Sequence, residues 1–294
     1  MKALIFGVGG QDGFYLSSLL EKEGVEVIGS SRGQGIIGDV GDLEFVESLI
    51  KSHSPDYIFH LAADSSTRHS LLFNNHSSIS TGSINILESS RIYSPESRIF
   101  LSGSAMQFDN KGLPIDEKTP FKASSPYALA RIHSTYAGRY YRDSFGMKVF
   151  TGFLFNHDSP LRSESHVNQR IVKTVHRIKE GEKIKLEIGD PEVRKEFNFA
   201  GDIVQAIWTL VNQNQISECV IGSGISYSIG DWISECFSEA GLNWKDHVTV
   251  REEFISEYQN LVSNPDLIKS IGWSPKINFL DLLQKMMKPD IYVA

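Results

Sequence analysis

The first thirteen residues constrain this chain more than any other stretch. They read Met-Lys-Ala-Leu-Ile-Phe-Gly-Val-Gly-Gly-Gln-Asp-Gly, so that an apolar run, Ala3 to Phe6, breaks into glycines at Gly7, Gly10 and Gly13. A helix-like pattern follows from Gln11 and Asp12 onward. A buried strand that turns tightly into a helix N-terminus leaves backbone N–H groups without internal partners, and such groups bind a pyrophosphate. Gly7 suits the tight turn, Gly10 lets phosphates approach the backbone, and Gly13 lets the helix pack on the strand. A plain glycine-rich turn shares the spacing. The position after a strand and before a helix predicts a dinucleotide site.

Strand-like runs at 2–6, 26–29, 57–61, 98–102 and 148–154 alternate with helix-like runs at 11–23, 43–52, 77–92 and 126–145. That alternation predicts an α/β fold, a Rossmann-type doubly wound parallel sheet. Residues 157–165 are polar, contain a proline and read as a loop. Helices are expected over 167–179, 202–212, 228–240, 265–271 and 280–287, with a last sheet strand at 219–221. The expected division is a dinucleotide-binding domain of 1–155 plus about 198–225. A smaller, mixed C-terminal substrate domain takes about 156–197 plus 226–294, with the active site in the cleft between them.

The formal net charge of -7 argues against broad nucleic-acid binding, although a local basic pocket for phosphate remains open. The two cysteines, Cys219 and Cys236, form neither a disulfide framework nor a metal cluster, so no metal is expected and a reducing cytoplasm fits. No apolar run approaches the ~20 residues that span a bilayer. The N-terminus reads as a core strand rather than a signal peptide. Asn75-His76-Ser77 matches a glycosylation sequon and is read as chance.

The second predicted strand ends Gly29-Ser30-Ser31-Arg32. An acidic residue there would bind the ribose hydroxyls of NAD. Ser31 and Arg32 instead suit a 2′-phosphate, which favours NADP over NAD; the lesser alternative is a solvated arginine at a strand end. Asp39 in Gly38-Asp39-Val40 is placed to hold an adenine amine, and Leu61-Ala62-Ala63 to pass beside the cofactor.

Ser104 follows the fourth predicted strand, and Tyr127 lies 23 residues later in Ser125-Pro126-Tyr127-Ala128-Leu129-Ala130-Arg131. Pro126 is well placed to start a helix, which sets Tyr127 and Arg131 one turn apart on one face. A tyrosine can shuttle a proton to or from a carbinol oxygen while a hydride moves, provided a cation lowers its phenol pKa. A serine hydroxyl can hold the reacting oxygen. Alone, Tyr127 and Arg131 are as readily two residues of an ordinary amphipathic helix; with the glycine loop and Ser104 in order, they form a catalytic set.

At this point the chain resembles the extended short-chain dehydrogenase/reductases, and more closely the GDP-mannose 4,6-dehydratase family. The resemblance runs nearly end to end. It is carried by Gly7 to Gly13 with Tyr15-Leu16, by Leu154-Phe155-Asn156-His157-Asp158-Ser159-Pro160, by Asn264-Pro265-Asp266 with Ile271-Gly272-Trp273-Ser274-Pro275, and by the tail from Phe279 to Ile291. The Asn156–Pro160 segment is the specific one. The resemblance implies an NADP enzyme that oxidises carbon 4 of a hexose, eliminates water across carbons 5 and 6, and returns the hydride to carbon 6. It assigns Ser104 to the oxygen-holding role, Tyr127 to the general base and Arg131 to the adjacent cation. Gln11, Asp12, Val40, Leu154, Asn156 and His157 join the cofactor contacts. Ser65 is assigned to the sugar, Asn156 and Val167 to the nucleotide sugar, and Arg170, Arg194 and Lys195 to its diphosphate. The implied ligand is GDP-mannose or a relative.

Three departures bear on the reaction. Arg131 stands where the family has lysine, and its rigid fork cannot relay a proton. Met106 stands at the family's glutamate base, next to Ala105, and a thioether cannot abstract a proton; Asp64 is the substitute within reach along the chain. The segment after Arg32 is short, which removes a loop used in tetramers and argues for a homodimer paired through 77–92 and 126–145. Three readings follow: a nucleotide-sugar dehydratase with a rearranged base, a reductase or 4-epimerase on the same scaffold, and a catalytically weak or inactive binding homologue.

Overall fold

The computed structural model describes residues 1–251 and 253–288; Ile291, within the tail expected to match the family, lies outside them. Seven parallel strands form the main sheet: β1 (Lys2–Phe6), β2 (Glu26–Ser31), β3 (Ile36–Ile37), β4 (Tyr57–His60), β5 (Arg98–Ser104), β6 (Lys148–Leu154) and β11 (Glu218–Ile221). Their order is β11-β6-β5-β4-β1-β2-β3. Short strands β7 (His157–Asp158), β8 (Leu186–Ile188), β9 (Arg194–Glu196), β10 (Asn198–Phe199), β12 (Ser226–Ser228), β13 (Val248–Val250) and β14 (Asn260–Leu261) build the remainder. The principal helices are α1 (Gln11–Lys22), α2 (Leu43–His53), α3 (Leu72–Asn75), α4 (Gly82–Tyr93), α5 (Pro126–Phe145), α6 (Val167–Lys179), α7 (Ala200–Val211), α8 (Ile229–Glu239), α9 (Asp266–Ser270) and α10 (Phe279–Met287).

The sheet is buried on both faces, as alternation along β1 requires. Ala3 and Ile5 point into a core shared with Leu16 and Leu20 of α1 and Ile203, Ile207 and Leu210 of α7. Leu4 and Phe6 point the other way, onto Val46 and Ile50 of α2, Ile86 and Leu87 of α4, and Ala137 of α5. A separate core holds the C-terminal elements, where Trp232 of α8 packs with Ile171 and Val175 of α6, Phe197, and Phe279 and Leu282 of α10. Ile268 and Trp273 pack with the sheet core instead.

Local chemistry sets the helix ends. Asp42 caps α2 by accepting from the Glu44 N–H at 3.0 Å, and Ser125 caps α5 by accepting from the Ala128 N–H at 3.1 Å, with Pro126 at the first turn. Gly146 closes α5 at a φ of 68°. The structure differs from the sequence expectation around 77–92. The helical run begins at His69, and residues His76–Thr81 form a π-helical segment before α4. Asn75 of the apparent sequon is buried, with its amide donating to the Ser66 carbonyl at 3.0 Å. Strand β3, too short to show as a periodic run, follows a turn at Gly35 with a φ of 72°.

Glu196 ties the C-terminal segments to β9. It is fully buried, and its Oε1 accepts from the Ser263 N–H and Ser263 hydroxyl, both at 2.6 Å. Its Oε2 accepts from the Ser223 N–H at 2.6 Å and the Asn198 amide at 2.9 Å. Removing a buried acceptor strands every donor it satisfied. Glu196→Ala is expected to cost at least about 3 kcal/mol of unfolding free energy, measured as a lowered denaturant midpoint.

Candidate active site

The order of strands reverses between β1 and β4, and in sheets of this kind ligands enter at that crevice. Two cavities meet there, of about 340 Å³ and about 160 Å³, sharing Gly7, Gly10, Leu61 and Ala63. The glycines do different jobs. Gly7 has a φ of 100°, and a Cβ on it would stand 2.6 Å from the Ala62 nitrogen. A Cβ on Gly13 would stand 2.5 Å from the Gly7 carbonyl oxygen. Gly7 and Gly13 are therefore demanded by the protein's own packing. Gly10 is not, since the nearest atom to its Cβ would be 3.5 Å away. Gly10 is the N-cap of α1, supplies no side-chain cap, and lines both cavities. Open N–H groups beside open space are what a close-approaching anion needs.

The smaller cavity is lined by Ser31, Arg32, Asp39, Val40, Ala62 and Ala63, among others. Ser31 Oγ accepts from the Gln34 N–H at 2.8 Å and donates to the Gln34 carbonyl at 2.8 Å, so the hydroxyl shapes its own turn. Asp39 Oδ1 accepts from the Gly41 N–H at 2.8 Å. Arg32 is exposed at the rim.

Ser104, Tyr127 and Arg131 line the larger cavity together. Ser104 ends β5 and caps a short 3-10 turn; its Oγ accepts from the Met106 N–H at 3.2 Å, which leaves the hydroxyl proton for another acceptor. Arg131 is 4% exposed, and Nη1 donates to the Ser102 carbonyl and, at 2.7 Å, to the Ser102 hydroxyl. Its guanidinium carbon is 5.2 Å from the centre of the Tyr127 ring. Buried beside it, His60 is pushed down to about 3, first by burial and then by the Arg131 charge, so the charge beneath Tyr127 is the guanidinium's. On residues lining this cavity, Arg131 Nε and Asn156 Oδ1 are among the buried atoms without a hydrogen-bond partner. A cofactor with ribose hydroxyls fits that pair of orphans.

Gln11, Asp12, Leu154, Asn156, His157 and Ser65 also line the larger cavity. His157 Nε2 lies 3.0 Å from both Asp12 carboxylate oxygens, and Nδ1 lies 2.7 Å from the Phe155 carbonyl. Acceptors on both ring nitrogens call for the doubly protonated ring. Burial pushes His157 down, but the charge and hydrogen bond of Asp12 outweigh it and the net shift is upward. For Asp12, burial pushes up and the His157 charge pulls further down, so the net shift is downward.

Val167, Arg170, Arg194 and Lys195 are placed apart from the larger cavity's lining. Val167 packs with the C-terminal core, and Arg170 is exposed. Arg194 Nη2 donates to the Ser226 carbonyl at 2.7 Å. Lys195 is 7% exposed, and burial pushes its amine down to about 8 against the opposing pull of Asp158. The basic groups that do line the cavity near His157 are Arg162 and His166. Arg162 Nη2 donates to His166 Nδ1 at 3.0 Å, and its Nε lies 3.5 Å from buried Asp158. Both sit in or beside the polar stretch read as a loop, where their charge was visible but their direction was not. Thr67, Ser102, Glu257 and Tyr258 complete the wall and carried no motif.

The family model described as GDP-mannose 4,6 dehydratase matches residues 4–286. GDP-mannose 4,6 dehydratase 1 of Arabidopsis thaliana is 29% identical over 325 residues, covering 99% of this chain and 90% of that protein. A dTDP-glucose 4,6-dehydratase from Bacillus anthracis, solved with NAD, superposes with a TM-score of 0.86 at 18% identity, covering 98% and 96% of the two chains. UDP-glucose 4-epimerase from Thermus thermophilus, complexed with NAD, gives 0.85 at 19% identity and covers 100% of both. RMD from Pseudomonas aeruginosa, complexed with NADPH, gives 0.85 at 18%, covering 98% and 97%.

The Asp12–His157 pair sets a pH window. His157 is raised above 6.5, so its contribution is complete below that pH and is lost as pH rises through the folded value. Asp12 is lowered below 3.8, so its contribution is complete above that pH and is lost as pH falls. NMR titration of the His157 ring is expected to give a midpoint above 6.5 in the native protein and a lower one in Asp12→Asn. An unchanged midpoint in the variant would refute the pairing.

Proposed function

The chain belongs to the GDP-mannose 4,6 dehydratase family, and on that premise we propose that it is an NADP-dependent nucleotide-sugar dehydratase acting on GDP-mannose or a relative. The observation that carries the reading is the convergence of Ser104, Tyr127 and Arg131 on a cavity continuous with the glycine loop. The residues around Gly7, Gly10 and Arg32 would hold NADP, which would supply a hydride acceptor for carbon 4 and a hydride donor for carbon 6. Tyr127 takes the proton of the carbon 4 hydroxyl. Ser104, its oxygen already accepting from the Met106 N–H, donates to the reacting oxygen. Arg131, pinned to Ser102, would place its positive charge beside the Tyr127 phenolate that accepts the carbon 4 hydroxyl proton and would offer its unpartnered Nε to the cofactor ribose. The α1 N-terminus and Gly10 meet the pyrophosphate. Arg162 is the guanidinium on the wall best placed for a substrate diphosphate.

Arg32 at the rim of the smaller cavity supports the preference for NADP over NAD. Ile84, Leu129, Tyr136 and Tyr140 expose apolar surface on α4 and α5, which supports a homodimer through those helices. Among the described residues no helix is long and apolar enough to cross a membrane, and no three or more His, Cys, Asp or Glu residues group as metal ligands would.

Met106 favours a second reading. It packs against Tyr127 and Ala130, so the wall where the family's base is expected is apolar. A reductase or 4-epimerase needs only hydride and hydroxyl-proton transfer, which Tyr127 and Ser104 can supply.

Incubation with NADP and GDP-mannose is expected to yield a 4-keto-6-deoxy sugar; interconversion of the hydroxyl configuration alone would select the epimerase. Tyr127→Phe is expected to lower kcat by about 10²-fold or more, read by mass spectrometry of the product. Arg32→Ala is expected to reduce the preference for NADP over NAD by about 10- to 100-fold, read as the ratio of the two dissociation constants.

A further inference from the structure

From the arrangement of the cavity wall we infer that Glu257 is the proton-transfer group of the elimination step, the role that Met106 cannot fill. The inference rests on the dehydratase reading above. Among the described residues, two carboxylates line the larger cavity, Asp12 and Glu257. Asp12 is committed to His157 at the start of α1. Asp64, the substitute nearest along the chain, turns onto its own loop, where Oδ1 accepts from the Ser66 N–H at 3.2 Å. His166, another group able to accept a proton, is bound to Arg162 and is pushed down to about 4, first by burial and then by the Arg162 charge.

Glu257 shares two cavity walls with Met106, the position of the missing base. It lines the larger cavity with Ser104, Met106 and Tyr127, and shares a side cavity of about 90 Å³ with Ala105, Met106 and Tyr258. One carboxylate oxygen, Oε1, accepts from the Thr67 hydroxyl at 2.5 Å, which holds the side chain across the cavity from the loop after β4. Glu257 forms no ion pair among the described residues, so its charge is not spent on a cation. Burial, then the Glu257 charge, pushes the Tyr258 phenol up, so this neighbour stays protonated and does not compete as a base.

The step balances on these groups alone. A keto group at carbon 4 acidifies the carbon 5 hydrogen. The Glu257 carboxylate takes that proton as the carbon 5–hydrogen bond breaks. The carbon 6–oxygen bond then breaks, a carbon 5–carbon 6 double bond forms, and the protonated carboxyl passes its proton to the departing hydroxyl. One water leaves and the carboxylate is restored.

The test compares wild type, Glu257→Gln and the double variant Glu257→Gln with Met106→Glu. Each is loaded with NADP and given GDP-mannose in deuterated water. Three signals are followed: reduced cofactor absorbance, deuterium at carbon 5, and dehydrated product. Glu257→Gln is expected to keep the rise in reduced cofactor while losing carbon 5 exchange and product by about 10²- to 10⁴-fold. Met106→Glu in that background is expected to restore both. Glu257 is exposed on a loop, so the glutamine variant is expected to fold, checked by unchanged NADP affinity. Wild-type exchange and product in Glu257→Gln overturn the assignment, as does loss of the reduced-cofactor signal together with them, which would make Glu257 a binding group. A wild-type protein that oxidises carbon 4 but never loses water overturns the assignment alone. One that shows no reduced cofactor and no product overturns the functional reading beneath it.

Discussion

The closeness of β1 to α1 is the constraint on which the rest of the site depends. A Cβ at Gly13 would collide with the Gly7 carbonyl oxygen and the Val8 backbone, and one at Gly7 would collide with the chain leaving β4. Side chains are excluded from that seam, so the helix N-terminus is held against the ends of two adjacent strands. Its first N–H groups then face the crevice with no side-chain cap. A Cβ on Gly10 would meet no atom closer than 3.5 Å, and Gly10 lines both cavities where they adjoin. The N-terminus proposed to meet the pyrophosphate is thus positioned by packing within the protein itself.

A second rigid unit meets the first at the C-terminal end of β5. Gln107 Oε1 accepts from the Ser104 N–H at 2.9 Å, while its amide donates to Thr135 of α5 at 3.1 Å. Arg131, also on α5, is bonded to Ser102 of the same strand. The strand that carries Ser104 and the helix that carries Tyr127 are therefore cross-linked on both sides of the reacting groups. Such support keeps a hydroxyl and a phenol in fixed relation, so little reorganisation is needed at the moment of reaction. One nitrogen of the arginine, Nη1, holds the strand carbonyl and hydroxyl together, while Nε has no protein partner. The arginine also removes a proton relay, so the phenol's proton must leave by another path.

Features set by short-range chemistry were legible in the sequence. The glycine loop, the Ser125-Pro126 helix start and the one-turn spacing of Tyr127 and Arg131 are local patterns, and the parallel sheet follows from the alternation of periods. The helical run from His69 was harder to place, since a π segment interrupts the 3.6-residue period at His76–Thr81. The polar wall was harder still. Arg162 and His166 lie in a stretch whose charges were plain, but only the paired Asp158 and the fold of the chain after β6 turn them inward. Glu257 and Thr67 are 190 residues apart, and no periodicity links them. Lys195 is a different case: the resemblance assigns it to the diphosphate, whereas in β9 it is buried beside the Phe197 ring.

The two halves of the proposed reaction consequently rest on different kinds of structure. Oxidation uses Ser104, Tyr127 and Arg131, which sit on a strand end and a capped helix locked to each other. Elimination through Glu257 uses an irregular loop that reaches the cavity through one hydrogen bond to Thr67. A catalytic group on such a loop holds its geometry only while the contact is closed, and the effective concentration of the base falls when the contact opens. By the family resemblance the equivalent base would stand at the position of Met106, just after the end of β5. Exchanging it for Met106 packs that wall against Tyr127 and leaves the oxidation site intact. The same replacement makes proton abstraction depend on the C-terminal domain. If the proposal holds, hydride transfer and water loss rest on separate elements, and disturbing the Glu257 loop would remove the second while leaving the groups proposed for the first in place.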